Sequence, residues 1–164
     1  MARIFLDSTA PPLNDRIVDV TGWLTDVWRQ WFGRMPDTLK AIPSLINVVN
    51  LSSQSASLGA TDFSNTSLLA GIYRASYRVQ ITQAAGVSSS LTVSIAWTDG
   101  GVGQTATGAA IVGNTVTTGQ SDFVLIRVDA GTAVQYSATY SSVGVPAMTY
   151  SFTASLEKIK ESTL

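Results

Sequence analysis

Two hydrophobic periods divide this chain. In "VTGWLTDVWRQWFGRM" (20–35), Leu24, Val27, Trp28, Trp31, Phe32 and Met35 recur at i, i+3, i+4, i+7, i+8 and i+11. That spacing predicts an amphipathic helix with an apolar stripe about 140° wide. Trp23 lies on the flank of the stripe, and Asp26, Arg29, Gln30 and Gly33 take the opposite face. Thr21 is placed to cap the helix, because its hydroxyl can accept an orphan amide N–H. Pro36 restricts Met35 and is expected to stop or kink it. Residues 1–20 contain Pro11-Pro12 and read as an extended arm.

After Pro43 the period changes to two. "LINVVNL" (45–51) is strand-like. In "IYRASYRVQIT" (72–82), Tyr73, Ala75, Tyr77, Val79 and Ile81 share one face, leaving Arg74 and Arg78 on the other. "SLTVSIAWT" (90–98), "AVQYSATY" (133–140) and "MTYSFTASL" (148–156) alternate in the same way. "DFVLIRVD" (122–129) is a continuous apolar run, which predicts a strand buried on both faces. Asp99-Gly100, Gly113-Asn114 and "DAGT" mark turns. The stretch 52–67 reads as a loop with a short edge strand. Seven or eight short antiparallel strands with frequent turns make a mostly-β chain folded as a β-sandwich. The expected domains are residues 1–40, an arm and Trp-rich helix, and residues 41–164, the sandwich.

Charge sharpens this division. Of 21 charged residues, ten lie in 1–40 and four in 157–164, leaving seven between: Asp62, Arg74, Arg78, Asp99, Asp122, Arg127 and Asp129. Soluble domains average roughly 25% charged residues. So sparse a segment either stays soluble through Ser, Thr, Gln and Asn, or hides much of its surface in an oligomer; the second reading is favoured. The net charge of −1 gives no electrostatic case for nucleic acid. No run of about 20 apolar residues spans a bilayer. The first residues lack the apolar region of a signal peptide.

Candidate chemistry is thin. The chain has no Cys and no His, which removes thiol nucleophiles, the usual general base and the commonest metal ligand. Lys40, Lys158 and Lys160 lie outside the predicted strands. A carboxylate pair would have to come from Asp62, Asp99, Asp122 and Asp129, and Asp99 and Asp129 sit in turn motifs. No run resembles a calcium loop. The expectation is a non-enzyme with no catalytic residue, metal site or cofactor. Trp97, Tyr136, Tyr140 and Tyr150 could form a glycan-binding platform, although their alternation places them in the core first. "GVGQTATGAA" and "SSVGVPA" are candidate binding loops.

Three stretches resemble the trimeric jelly roll of the complement-globular-head and tumour-necrosis-factor type. "LLAGIYRASYRVQI" matches that family's glycine–aromatic strand at Gly71, Tyr73 and Tyr77, with Ala75 in place of an aromatic. "SDFVLIRVDAGTAVQYSATY" matches its later hairpin at Gly131, with Thr132 replacing the acid. "YSFTASLEKI" matches its closing strand, with Ala154 in place of glycine. The resemblance covers about residues 60–159. It implies an antiparallel jelly-roll β-sandwich whose low-charge faces pack around a threefold axis as a homotrimer. The leader "PPLNDRIVDVTGWLTDVWRQWFGRM" is similar to the start of many small tailed-bacteriophage virion proteins. That likeness implies a fibre, spike or decoration component of a virion, assembled in the host cytoplasm and docked on other virion proteins through residues 1–40.

The aromatic helix supplies the assembly candidates Leu24, Val27, Trp28, Trp31, Phe32 and Met35. Each aromatic buries about 150–250 Å² when packed, and the sandwich has enough inward positions to fill its own core, so burial between chains is expected. The alternative is a glycan- or receptor-binding module for host attachment.

Overall fold

The computed structural model describes Ile17, residues 25–39 and residues 43–161. Thr21, Trp23, Leu24 and the predicted arm otherwise lie outside the described residues. The chain divides into two compact units, Met1–Ile42 and Pro43–Leu164.

In the first unit, α1 runs Asp26–Leu39. Its first bond is closed by the Thr25 carbonyl, which accepts the Arg29 N–H at 2.9 Å. The helix therefore starts at Asp26, with Thr25 in the capping place, four residues beyond the predicted Thr21 cap. It also continues through Pro36 instead of stopping there. Proline lacks an N–H, so the intrahelical bond forgone is the one that would reach the Phe32 carbonyl four residues back. Asp26 and Arg29 form an exposed i,i+3 ion pair at 3.6 Å. No described helix is long and apolar enough to cross a membrane.

In the second unit, eight strands are described: β1 (Ser44–Gln54), β2 (Leu58–Asp62), β3 (Gly71–Gln83), β4 (Ser88–Asp99), β5 (Val102–Thr107), β6 (Gly119–Val128), β7 (Gln135–Val143) and β8 (Thr149–Glu161). They form two four-stranded sheets, ordered β1-β8-β3-β6 and β2-β7-β4-β5. Every pairing is antiparallel. Only β4 and β5 are consecutive neighbours within a sheet; every other connection crosses to the opposite sheet. This strand order is that of a jelly roll.

The core follows from the alternation. Tyr73, Ala75, Tyr77, Val79 and Ile81 of β3 are buried, as are Leu91, Val93 and Ile95 of β4 and Tyr150, Phe152, Ala154 and Leu156 of β8. Arg74 and Arg78 are exposed on the opposite face of β3. Tyr136 stacks on Phe152 with ring centroids 5.3 Å apart, and Phe63 meets Tyr136 edge-on at 5.1 Å. Three tyrosine hydroxyls donate to loop carbonyls: buried Tyr73 to Leu69 at 2.7 Å and Tyr150 to Ala56 at 2.8 Å, and half-buried Tyr140 to Met148 at 2.6 Å. These bonds pin irregular segments to the core at both ends of the sandwich.

Two turns show why their residues are needed. Asp99 pairs with Val102, so the β4–β5 hairpin loop is Gly100-Gly101. Their φ angles are +60° and +74°, as a type I′ turn requires. The Asp129 carboxylate accepts both glycine N–H groups, at 3.1 and 2.7 Å. These bonds, Gly101's first, hold the Asp129 carboxyl below its ordinary pKa. Gly86 is held by crowding: its N–H donates to the Pro146 carbonyl at 2.9 Å, and a Cβ there would lie 2.4 Å from the Val145 carbonyl oxygen.

Two expectations are corrected. Gly113-Asn114 does not close a hairpin. It sits in the long β5–β6 crossover, where the Gly113 N–H donates to Ser89 Oγ at 2.8 Å and the Asn114 amide donates to the Val87 carbonyl at 3.2 Å. The run 122–129 is not buried on both faces either. β6 is the edge of its sheet and nothing in the described sandwich covers that sheet's outer side, so Phe123 and Leu125 are 60% and 61% exposed.

Two outcomes follow from this packing. Gly86→Ala drives a methyl into backbone, an overpacking cost of about 1–3 kcal/mol, readable as a lower denaturant midpoint. Burial first, and Tyr140 second, push the Tyr150 phenol up to about 12. A group raised in the folded state gives its full stability below the unfolded pKa of about 10 and loses it as pH rises toward the folded value. Melting temperature should therefore fall between pH 10 and 12, and Tyr150→Phe should flatten that fall.

Candidate assembly surfaces and a lateral cleft

The outer face of β1-β8-β3-β6 is built by register. Three rows cross it: Leu45–Glu157–Arg74–Leu125, Val48–Ser155–Ser76–Phe123 and Asn50–Thr153–Arg78–Ser121. Apolar side chains stand at both edges, Leu45 and Val48 on β1 and Phe123 and Leu125 on β6, and all four are exposed. The middle of the face carries small polar side chains. Arg74 is neutralised by an ion pair with Glu157 across the β3–β8 ladder. The result is a trough of about 320 Å³ lined by Ser76, Arg78, Ser121, Phe123, Thr153 and Ser155. Fully burying a leucine or phenylalanine side chain is worth roughly 1.5–3 kcal/mol, so these edges favour being covered.

The ends of the sandwich differ in charge. Asp62, Asp99, Arg127 and Asp129 gather where β1 enters, with Arg127 bonded to Asp99 at 2.6 Å. The opposite end, formed by the β3–β4, β5–β6 and β7–β8 connections, has no charged residue and exposes Val87, Val112, Val116, Val143 and Val145. "SSVGVPA" lies there.

A smaller cleft of about 160 Å³ opens between the edge strands β5 and β6. Ile95, Ala106 and Val124 give it apolar walls, with Thr107 and Asp122 exposed at its mouth. Tyr77 and Gly108 line it as well. Tyr77 is 7% exposed, yet its hydroxyl has no hydrogen-bond partner among the described residues, and neither has the buried Gln120 Oε1. A Cβ on Gly108 would lie 2.2 Å from Tyr77 Oη and 3.5 Å from Gln120 Nε2. The Tyr77 hydroxyl thus fills the space that a side chain at position 108 would need, and only glycine fits there. Desolvation first, and then the Asp122 charge, raise the Tyr77 pKa, so the phenol stays protonated at neutral pH.

The residues singled out from sequence are placed as follows. On α1, Trp28 meets Trp31 and Phe32 at 5.6 and 5.7 Å, and Trp31 meets Phe32 at 5.1 Å. Phe32 is 43% exposed, and Val27, Trp28 and Trp31 are half-buried. The Trp31 indole N–H is shielded and has no acceptor among the described residues. Leu24 and the Met35 side chain lie outside the description. The glycan platform does not form: Tyr136 and Tyr150 are core residues, and Trp97 and Tyr140 pack against the core. The carboxylates hold local structure. Asp62 accepts from Gln135 Nε2 at 2.7 Å, Asp99 pairs with Arg127, and Asp122 accepts the Phe123 N–H at 2.8 Å. Among the described residues, no group of three or more acidic side chains could hold a metal ion.

The outward Phe123 and Leu125 were missed because an unbroken apolar run hides its own alternation. The available signal was Arg127, which continues their row. The cleft had no sequence signal beyond an isolated Gly108.

No protein-family model matches the chain, and no curated protein aligns with it significantly. Among solved structures, the chain is similar to the TNF protein Eiger from S. frugiperda, at 10% identity and a TM-score of 0.33, over 75% of this chain and 95% of that one. It is also similar to a pentameric capsid protein isolated from metagenomic phage sequences, at 12% identity and a TM-score of 0.29, over 75% and 70% of the two chains. Likenesses this distant assign no function. The jelly-roll class rests on the strand order itself.

Phe123→Ser and Leu125→Ser remove apolar surface without opening the core. Each should leave the single-chain fold within about 0.5 kcal/mol of the original, and a preserved near-ultraviolet circular dichroism spectrum checks it.

Proposed function

We propose that this protein is a non-enzymatic structural component of a bacteriophage virion, a homotrimer that assembles through the outer face of β1-β8-β3-β6. The observation that carries the assembly is the exposed pair Phe123 and Leu125 beside a serine-floored trough on a face with few free charges. A ridge at one edge and a hollow at the centre are complementary surfaces at different places on one face. Such heterologous contacts close into rings when the rotation permits. The leader's resemblance to virion proteins supports the location, and the mutually packed Trp28, Trp31 and Phe32 support residues 1–40 as the anchor to a neighbouring virion protein.

The test is the particle mass in solution. A trimer has three times the chain mass of 17.3 kDa. Phe123→Asp with Leu125→Asp should reduce it to one chain mass with the fold retained. A monomeric starting protein overturns the assembly reading. Trp28→Ala with Trp31→Ala should leave the melting temperature unchanged and abolish incorporation into virions. A collapse of the melt would instead assign these residues to folding.

A further inference from the structure

We infer that the free edge of β5 pairs with the same edge of a second copy of this chain, antiparallel about a twofold axis at Thr105. Each sheet of the sandwich ends in two strands with an unpaired side, and such edges are templates for another chain unless something blunts them. Three of the four edges are blunted. β1 breaks register with β8 twice and holds Ser53 at a φ of 54°. β2 is only five residues long, with a register shift and a terminal Asp62. β6 carries the inward Asp122, whose carboxylate accepts the Phe123 N–H. β5 has none of these devices. It contains no charge, proline or bulge, and its register with β4 is unbroken from Ser94 opposite Thr107 to Asp99 opposite Val102. Among the described residues its other side has no strand partner, and five of its six residues are exposed.

The register follows from which backbone groups are free. The Gly108 N–H donates to the Val93 carbonyl at 2.9 Å, one step beyond the Ser94–Thr107 pair. Antiparallel ladders alternate, so Val102, Gln104 and Ala106 bond to β4, and the N–H and C=O groups of Gly103, Thr105 and Thr107 point away from it. A twofold at Thr105 sets that residue against its own counterpart and Gly103 against the counterpart of Thr107, closing about six hydrogen bonds between the chains. The same register sets Gln104 opposite Ala106 and Val102 opposite Gly108. Each larger side chain thus meets a smaller one, the central Thr–Thr pair is a favourable cross-strand pair, and no charge meets its like. This fit of the edge to itself selects a second copy over an unrelated strand. β5 is one wall of the lateral cleft, so the copy lies beside that cleft. One short strand per chain buries much less than the roughly 1,200 Å² of a stable interface. The contact therefore forms at the high local concentration of an assembled particle, and the particle mass at micromolar concentration is left to the outer face of the other sheet.

The experiment uses the full chain, which contains no cysteine. Thr105→Cys is concentrated toward millimolar with a mild oxidant and run on a non-reducing denaturing gel. Hydrogen-bonded partners across an antiparallel ladder have Cα atoms about 5.5 Å apart, within the span that a disulfide bridges. A two-chain species should be the main product. Gly103 and Thr107 are exposed as well, and no atom lies within 4 Å of a Cβ at Gly103. In this register each stands about 14 Å along the strand from its own counterpart. Gly103→Cys and Thr107→Cys alone should each cross-link at least tenfold less, and the two mixed should cross-link to each other. No two-chain product from Thr105→Cys, or an equal yield from Gly103→Cys or Thr107→Cys alone, overturns the proposal. A second measurement is sedimentation equilibrium near millimolar concentration in the Phe123→Asp, Leu125→Asp background, where the outer face contributes nothing. The mass should rise toward two chains, and Thr105→Pro, which removes an N–H that β4 does not use, should return it to one. One chain mass without that change, or two chain masses despite it, overturns the pairing. This background separates the two contacts, so failure of one reading is not failure of the other.

Discussion

The ladder between β3 and β8 governs the rest of this structure. It runs from Gly71 opposite Glu161 to Gln83 opposite Thr149. β3 also pairs with β6 and β8 with β1, so one alternation decides which way side chains point on four strands. A slip by one residue would turn Tyr73, Tyr77 and Val79 to solvent and drive Arg74 and Arg78 into the core. Burying unpaired guanidiniums costs several kcal/mol each, so the two arginines specify the pairing as firmly as the tyrosines do.

The jelly-roll connectivity then leaves β6 and β5 as edges on the same side. Edge strands invite pairing with other chains. Asp122 stands in the inward row of β6, opposite Tyr77. A charge there discourages a further strand from closing the sandwich, beside the cleft that Tyr77 and Asp122 line. The same edge position turns Phe123 and Leu125 outward. One topological fact thus produces both an apolar ridge on the outer face and a cleft beside it.

Within the sandwich, buried side chains are hydrophobic or aromatic, and none of the described buried residues is charged. The carboxylates serve turns and local pairings, as Asp129 does for Gly100 and Gly101. A scaffold of this kind places its contacts on faces, edges and loop ends. The trough, the neutral valine-tipped end and the lateral cleft are the described surfaces on which contacts with other molecules would form.

Local pattern alone determined much of this architecture. Period-two alternation located β3, β4, β7 and β8 and assigned their buried rows, because each has one face on the core and one away from it. The helical stripe located α1, but its ends shifted, since Thr25 closed the first bond and Pro36 was accommodated. The strand 122–128 was legible as a strand and illegible as an edge: an apolar run looks the same whether a second layer covers it or another molecule must. Strand order, decided by pairings as distant along the chain as Ser44 with Lys158, set which layer that would be. Gly108, Tyr77 and Gln120 likewise meet only after the β5–β6 crossover brings the two sheet edges together. Sequence specified the two faces of each strand; tertiary pairing decided which outer face remained bare, because exposure belongs to the neighbours a strand acquires and not to the strand itself.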